Sequence, residues 1–311
     1  MRILATGNAV PKRILTNDEL AGMVDTSDEW IISHTGIHER RIADIEAGET
    51  TEALALAAAK EALAASGKDA NDIGFCIVAT FTGAHGFPAI ACLLQRDLGL
   101  SNDVIAFDLS AACSGFLYTL IAAQGILGMG DTPLLKERPY GIIVGAEVLS
   151  KITDFTDRST CVLFGDAAAA AVVGPTDGMF KWTSEVRGGT DALYMDRYMH
   201  MNGPAVYKFA VNVLTNNIRK VCDDAKIAPD DIDIFICHQA NYRILKSAAS
   251  HLNVPLERFY MNLQKYGNTS AASVPLALDG AIKDGLLEPG MKVLLAGFGA
   301  GLTSGAVLMD W

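Results

Sequence analysis

Three residues of this chain combine a nucleophile with two hydrogen-bonding partners. Cys113 stands in Ala-Ala-Cys-Ser-Gly-Phe, after an apolar run at 104–109 and before a long apolar segment reaching residue 127. The run reads as a buried strand and the segment after it as a helix. A cysteine at a helix N-terminus meets unpaired N–H groups and the positive end of the helix dipole. Both favour the thiolate, which is the nucleophile. The small neighbours Ala111, Ala112, Ser114 and Gly115 leave room for a carbonyl to approach. A lone cysteine has a plainer reading as packing, because free cysteine is among the most buried residue types. A nucleophile needs partners elsewhere in the chain. His238, in Cys-His-Gln-Ala-Asn, follows an apolar strand at 232–237, and Asn268 lies in Tyr-Gly-Asn-Thr-Ser-Ala-Ala-Ser-Val-Pro. Alone, the first reads as a structural histidine and the second as turn chemistry. In α/β sheets, however, sites gather at strand C-terminal ends, where all three converge.

The positioning elements alternate in type. Strands are expected at 1–10, 75–80, 104–109 and 141–146, and strand structure with a small-residue bend at 162–173. Helices are expected from residue 26, over 51–65, from Pro88 to 98 and over 115–127. After Gly174-Pro175 the pattern repeats. Apolar side chains at Val206, Phe209, Ala210, Val213, Leu214, Ile218 and Val221 have helical spacing. Strands are read at 232–237, 259–263, 293–296 and 306–309, with helices at 241–252 and 274–284 and a glycine-rich loop at 297–305. Residues 128–139 read as a polar loop. Strand, small-residue loop and helix at 104–127 match 259–284, and 141–173 matches 293–309. The expectation is an α/β chain of two similar halves, 1–174 and 175–311.

The chain has 311 residues, half of them hydrophobic and 20% charged, enough for a large core. Its net charge of −11 repels phosphate backbones and argues against nucleic acid as the main partner. Six cysteines form no C-x-x-C pair, so zinc and redox motifs are unsupported and a reducing compartment fits. The N-terminal residues lack the apolar stretch of a signal peptide, and no run is long enough for a membrane span. The expected location is the cytoplasm.

Six ordered motifs complete the reading: TSDEWI and TGI within 26–37, AACSGF at 111–116, TDRST-x-x-x-FGD at 156–166, HQAN at 238–241, GNTSAASVP at 267–275 and GFGAGLTSG at 297–305. With them the chain resembles, over essentially its whole length, the β-ketoacyl-acyl-carrier-protein synthase III family. These are initiating condensing enzymes of bacterial fatty acid synthesis, with the duplicated, layered αβαβα thiolase-like fold. The resemblance implies an acyltransferase whose Cys113 takes an acyl group from acyl-CoA, in the simplest case acetyl. Malonyl on acyl carrier protein then loses CO2, and the carbanion attacks the acyl-cysteine. His238 and Asn268 are implied as donors to the enolate oxygen, in the manner of an oxyanion hole. Backbone N–H groups at Cys113 and in Gly299-Ala300-Gly301 are implied as a second such site. No metal or cofactor is implied, since coenzyme A arrives as a substrate.

Further roles follow from the same resemblance. Trp30 and Arg158 are implied to hold the adenine end of coenzyme A, Asn241 the pantetheine end, and Phe298 the neighbourhood of the malonyl carboxylate. The family commonly has arginine where this chain has His34 and His38, which implies weaker or altered coenzyme A binding. Lys208, Arg243 and Lys246 are the expected docking residues for the acidic carrier protein. Phe87 matches the residue that crosses a homodimer interface to line the partner's acyl pocket. His85, His200 and His251 are read as solvated or structural.

The same triad would also suit a synthase III-like condensing enzyme of secondary metabolism with another acyl donor or acceptor. Thiolase itself is disfavoured because 297–305 contains no second cysteine. An inactive partner subunit is disfavoured by the presence of Cys113. A nucleotide-binding module is disfavoured because no helix N-terminus follows the glycine-rich segment.

Overall fold

The computed structural model describes residues 1–311. The strands that position the site are β1 (Arg2–Ala9), β2 (Ile73–Ala79), β3 (Ile105–Leu109), β4 (Tyr140–Glu147), β5 (Ala167–Gly174), β6 (Phe180–Val186), β7 (Ile234–Cys237), β8 (Lys292–Gly299) and β9 (Thr303–Asp310). The helices are α1 (Asp28–Thr35), α2 (Thr51–Ser66), α3 (Gly115–Leu127), α4 (Gly203–Ala225), α5 (Tyr242–Leu252) and α6 (Ser273–Lys283). One sheet has the order β1-β5-β4-β2-β3 and the other β7-β8-β9-β6. The parallel pair β2–β4 corresponds to β7–β8, and the antiparallel neighbours β5 and β1 correspond to β9 and β6.

Side-chain alternation along the strands builds the layers. Phe75 and Ile77 of β2 point inward with Phe116, Leu117 and Leu120 of α3, Val274, Ala277 and Leu278 of α6, and Val293 and Leu295 of β8. Cys76 and Val78, on the opposite face of β2, belong to a second core cluster with Ala55, Ala58, Ala59 and Ala62 of α2. The outer face of the second sheet packs Phe235, Leu294 and Leu308 against Leu214 and Ile218 of α4 and Leu245 of α5. Helices α3 and α6 thus lie between two sheets whose far faces are also helix-covered, giving the αβαβα order. No helix is long and apolar enough to cross a membrane.

Local sequence explains the helix ends. The side chain of Ser27 caps α1 by accepting from the Trp30 amide at 3.1 Å. Thr50 caps α2, and Gly67 ends it with φ +66°, a conformation that suits glycine.

Several expected elements differ. Residues 105–109 form an edge strand, half-buried along its length, instead of a buried one. Residues 259–263 do not form a strand. Phe259 makes one isolated bridge to Phe235, and the neighbouring backbone is satisfied by the Gln239 side chain, which donates to the Tyr260 carbonyl and accepts from the Asn262 amide. The glycine-rich 297–305 is mostly hairpin strand, with Gly297 opposite Gly305 and Gly299 opposite Thr303. The 128–139 loop contains a short helix, Pro133–Glu137, capped by Thr132 with proline at its first position. Pro88 precedes its helix, which begins at Ile90. Strand β5 begins at Ala167, after the bend, and residues 158–161 are a helical turn.

Candidate active site

Cys113 lies in a one-turn 3-10 segment, Ala112–Ser114, between β3 and α3. Its counterpart in the second half is Ser270–Ala272, before α6. The two turns press together: a Cβ on Gly115 would lie 3.3 Å from that of Ala271, and one on Gly145 would lie 2.2 Å from the Ala271 carbonyl oxygen. Glycine at 299 brings β8 against the Cys113 turn, since a Cβ there would sit 2.7 Å from the Cys113 nitrogen. Close backbone approach fixes Gly145 and Gly299, and the side chains of Ala79 and Ala271 fix Gly115.

His238 follows β7, and its amide donates to the Ala296 carbonyl at 2.8 Å. The imidazole is buried, meets the edge of Phe298 at a centroid distance of 5.2 Å, and has no partner for Nδ1. Asn268 is held by its backbone: its amide donates to the Leu163 carbonyl at 2.8 Å, and its carbonyl accepts from Gly165 at 3.0 Å. Its side-chain Oδ1 accepts from the Ser270 amide at 2.9 Å, which commits the oxygen and leaves the amide nitrogen as the free end. Cys113, His238 and Asn268 line one cavity of about 1370 Å³, with Phe298 and Ala300 on its wall.

Charge in this cavity is scarce. Burial pushes the Cys113 thiol up to about 12, against the pull of the Ser270 hydroxyl, and lowers the His238 imidazole to about 3. The resting pair is thiol and neutral imidazole. Burial thus opposes the thiolate that a helix terminus favours, and α3 begins two residues beyond Cys113.

The far end of the cavity carries the indole of Trp30. Arg158 lies over that ring at 4.7 Å and is tethered by a hydrogen bond to the Asp25 carbonyl. His34 stacks on Trp30 at 4.3 Å, with its Nδ1 2.8 Å from the Trp30 carbonyl oxygen. Asn241 caps α5 by accepting from the Arg243 amide and donates to the His34 carbonyl. One amide N–H remains for a ligand. Arg243 donates through Nε and Nη2 to the Ser33 carbonyl, so two residues of α5 brace the C-terminal turn of α1.

Other candidates lie apart. Lys208 and Lys246 are exposed on α4 and α5. Phe87 is 88% exposed and does not line this chain's cavity, and His38 is exposed outside it. His200 pairs with Asp196 at 3.0 Å, His251 Nδ1 lies 2.7 Å from the Ser247 carbonyl oxygen, and His85 is exposed.

Three features were missed in the sequence. Phe81, Leu149, Phe164, Met199 and Leu193 form an apolar cluster on the cavity wall. Glu147, ending β4, is fully buried; Oε2 accepts from Thr82 Oγ1 at 2.6 Å, Oε1 has no partner, and burial raises the carboxyl to about 8. Ser270 adopts φ +50°. A glutamate interrupting an apolar run was the only sequence signal among these.

The chain is similar to known proteins along its whole length. Residues 107–189 match the model of 3-oxoacyl-[acyl-carrier-protein] synthase III, and residues 222–311 match that of its C-terminal region. The chain is 44% identical over 315 residues to a β-ketoacyl-[acyl-carrier-protein] synthase III of Geobacillus kaustophilus, covering 99% of this chain and 98% of the relative. The crystal structure of 3-oxoacyl-[acyl-carrier-protein] synthase III from Aquifex aeolicus superposes with a TM-score of 0.94 at 42% identity, covering 100% of this chain and 99% of the other. The priming β-ketosynthase of the R1128 polyketide pathway superposes with a TM-score of 0.91 at 33% identity, covering 99% of this chain and 96% of the other.

Proposed function

This chain belongs to the β-ketoacyl-[acyl-carrier-protein] synthase III family, and on that premise we propose that it joins an acyl-CoA primer to malonyl-acyl-carrier protein. The products are 3-oxoacyl-acyl-carrier protein, CO2 and coenzyme A. The observation that carries the residue assignment is the meeting of Cys113, His238 and Asn268 in one largely apolar cavity whose other end is the Trp30–Arg158 pair.

Cys113 Sγ attacks the thioester carbonyl, and the C–S bond to coenzyme A breaks. The thiol proton leaves with the departing coenzyme A sulfur, since the low basicity of His238 disfavours a stored imidazolium. Malonyl then occupies the same cavity. Its C–C bond to the carboxylate breaks, CO2 departs, and the electron pair becomes an enolate. Neutral His238 and the free amide nitrogen of Asn268 donate to that oxygen. Phe298 lies beside His238, where an apolar wall favours conversion of a carboxylate into neutral CO2. The enolate carbon attacks the acyl-Cys113 carbonyl, and Cys113 leaves. Gly299 and Ala300 supply backbone near the carbonyl oxygen in both acyl steps. Nothing in this sequence of steps calls for a metal or organic cofactor.

Trp30 and Arg158 take the adenine end of coenzyme A, and Asn241 its pantetheine arm. Lys208, Arg243 and Lys246 receive the carrier protein. The edge of β3 and the exposed Phe87 support a homodimer, and six unpaired cysteines support a cytoplasmic setting. Residues 1–174 and 175–311 are two halves of one folding unit, since the layer between the sheets draws on both. Likeness to a priming ketosynthase of a polyketide pathway favours a second reading, a synthase III-like condensing enzyme of secondary metabolism with another acyl donor or acceptor.

The test is reconstitution with acetyl-CoA or longer primers and malonyl-acyl-carrier protein, with mass detection of the 3-oxoacyl product. Product formation that His238→Ala and Asn268→Ala each lower roughly 100-fold or more supports the reading. No product with any primer overturns it.

A further inference from the structure

Ser270 combines three observations that the condensation steps leave unused. It is a non-glycine residue at φ +50°, in the left-handed region that L side chains avoid. Its hydroxyl is buried on the cavity wall without a conventional acceptor. Its amide donates to Asn268 Oδ1. Buried polar groups are rarely left unpaired, and strained backbone persists where the surroundings over-determine it. Both conditions meet here, because the Ser270–Ala272 turn is wedged against Gly145 and the Cys113 turn. The corresponding residue before Cys113, Ala112, has φ +46° and carries no hydroxyl.

Ser270 and Cys113 line the same cavity wall, and the hydroxyl favours the anionic form of the sulfur. A thiol accepts hydrogen bonds weakly, whereas a thiolate accepts strongly. The hydroxyl is thus unsatisfied in the resting site and gains its partner when sulfur becomes charged, during attack and again when Cys113 leaves. Resting on the acyl-Cys113 reading above, we propose that Ser270 is a positioning residue for both halves of the machinery. Its amide fixes the Asn268 side chain, and its hydroxyl donates to the Cys113 sulfur while charge develops there.

The experiment follows alkylation of Cys113 by iodoacetamide from pH 7 to 10 and acylation by acyl-CoA, in the wild type, Ser270→Ala and Ser270→Gly. Glycine accepts the left-handed backbone without a hydroxyl, so it carries the test if alanine fails to fold. The expected result is that both rates fall roughly tenfold or more across the pH range. Alkylation and acylation at wild-type rates in Ser270→Gly would overturn the proposal. Wild-type protein that is alkylated at Cys113 but not acylated by any acyl-CoA would overturn the underlying reading instead, while the alkylation profile still decides the role of Ser270.

Discussion

The indole of Trp30 and the imidazole of His34 lie face to face, with centroids 4.3 Å apart and planes 15° from parallel. With Arg158 over the same indole, the mouth of the cavity is a preformed aromatic platform. His34→Ala removes one layer and is expected to raise KM for acyl-CoA roughly three- to tenfold with little change in kcat. His34→Phe retains the stack and keeps KM near wild type, and His34→Arg, which adds a guanidinium able to stack and bind phosphate, lowers it. Steady-state kinetics at saturating malonyl-acyl-carrier protein check all three.

Carrier-protein docking is expected to separate from coenzyme A binding at some basic residues only. Lys208→Glu and Lys246→Glu are expected to raise KM for malonyl-acyl-carrier protein roughly two- to fivefold while leaving acylation of Cys113 unchanged. Arg243→Glu is expected to impair both half-reactions, because its guanidinium also braces Ser33 on the helix that carries Trp30. Separate assays of acyl transfer and condensation distinguish the two patterns.

Much of this site was legible in the sequence, for a physical reason. Cys113, His238 and Asn268 sit in small-residue motifs next to apolar strands, and strand ends are where α/β folds place chemistry. Features that depend on distant partners were not legible. Residues 259–263 have the composition of a strand, but Gln239 satisfies that backbone from another loop. Glycines at 299 and 305 read as part of a loop, yet they lie in strands pressed on neighbouring backbone, including the Cys113 turn. The left-handed backbone of Ser270 is a tertiary fact with no local signature, and Glu147 left only the trace of a glutamate in an apolar run.

Glu147 and His238 set opposite pH slopes on stability. The Glu147 carboxyl is raised to about 8 in the fold, so between about 4.5 and 8 the folded chain keeps a proton that the unfolded chain has lost. Its contribution is present below that window and is lost as pH rises through it, by up to about 1.4 kcal/mol per pH unit. Urea midpoints of the wild type are expected to fall more steeply from pH 6 to 8 than those of Glu147→Gln. His238 is lowered to about 3, so its contribution is present above about 6.5 and is lost as pH falls. His238→Ala is expected to flatten the loss of stability between pH 6 and 4.

Gly299→Ala tests the packing of β8 on the nucleophile. The added methyl meets the Cys113 nitrogen at 2.7 Å, so the nucleophile turn must shift. Acylation is expected to fall roughly 100-fold or more, while circular dichroism shows the fold retained. Unchanged acylation would mean that the turn yields without cost.

The most direct measurement of the central claim is the intact mass of the protein after incubation with acetyl-CoA and with longer and branched acyl-CoAs. Cys113→Ala serves as the control. One acyl group per chain, absent in Cys113→Ala and discharged by malonyl-acyl-carrier protein, is the predicted result, and the acyl group accepted fastest identifies the primer. An unmodified wild-type mass with every acyl-CoA, or an adduct that persists in Cys113→Ala, would contradict it.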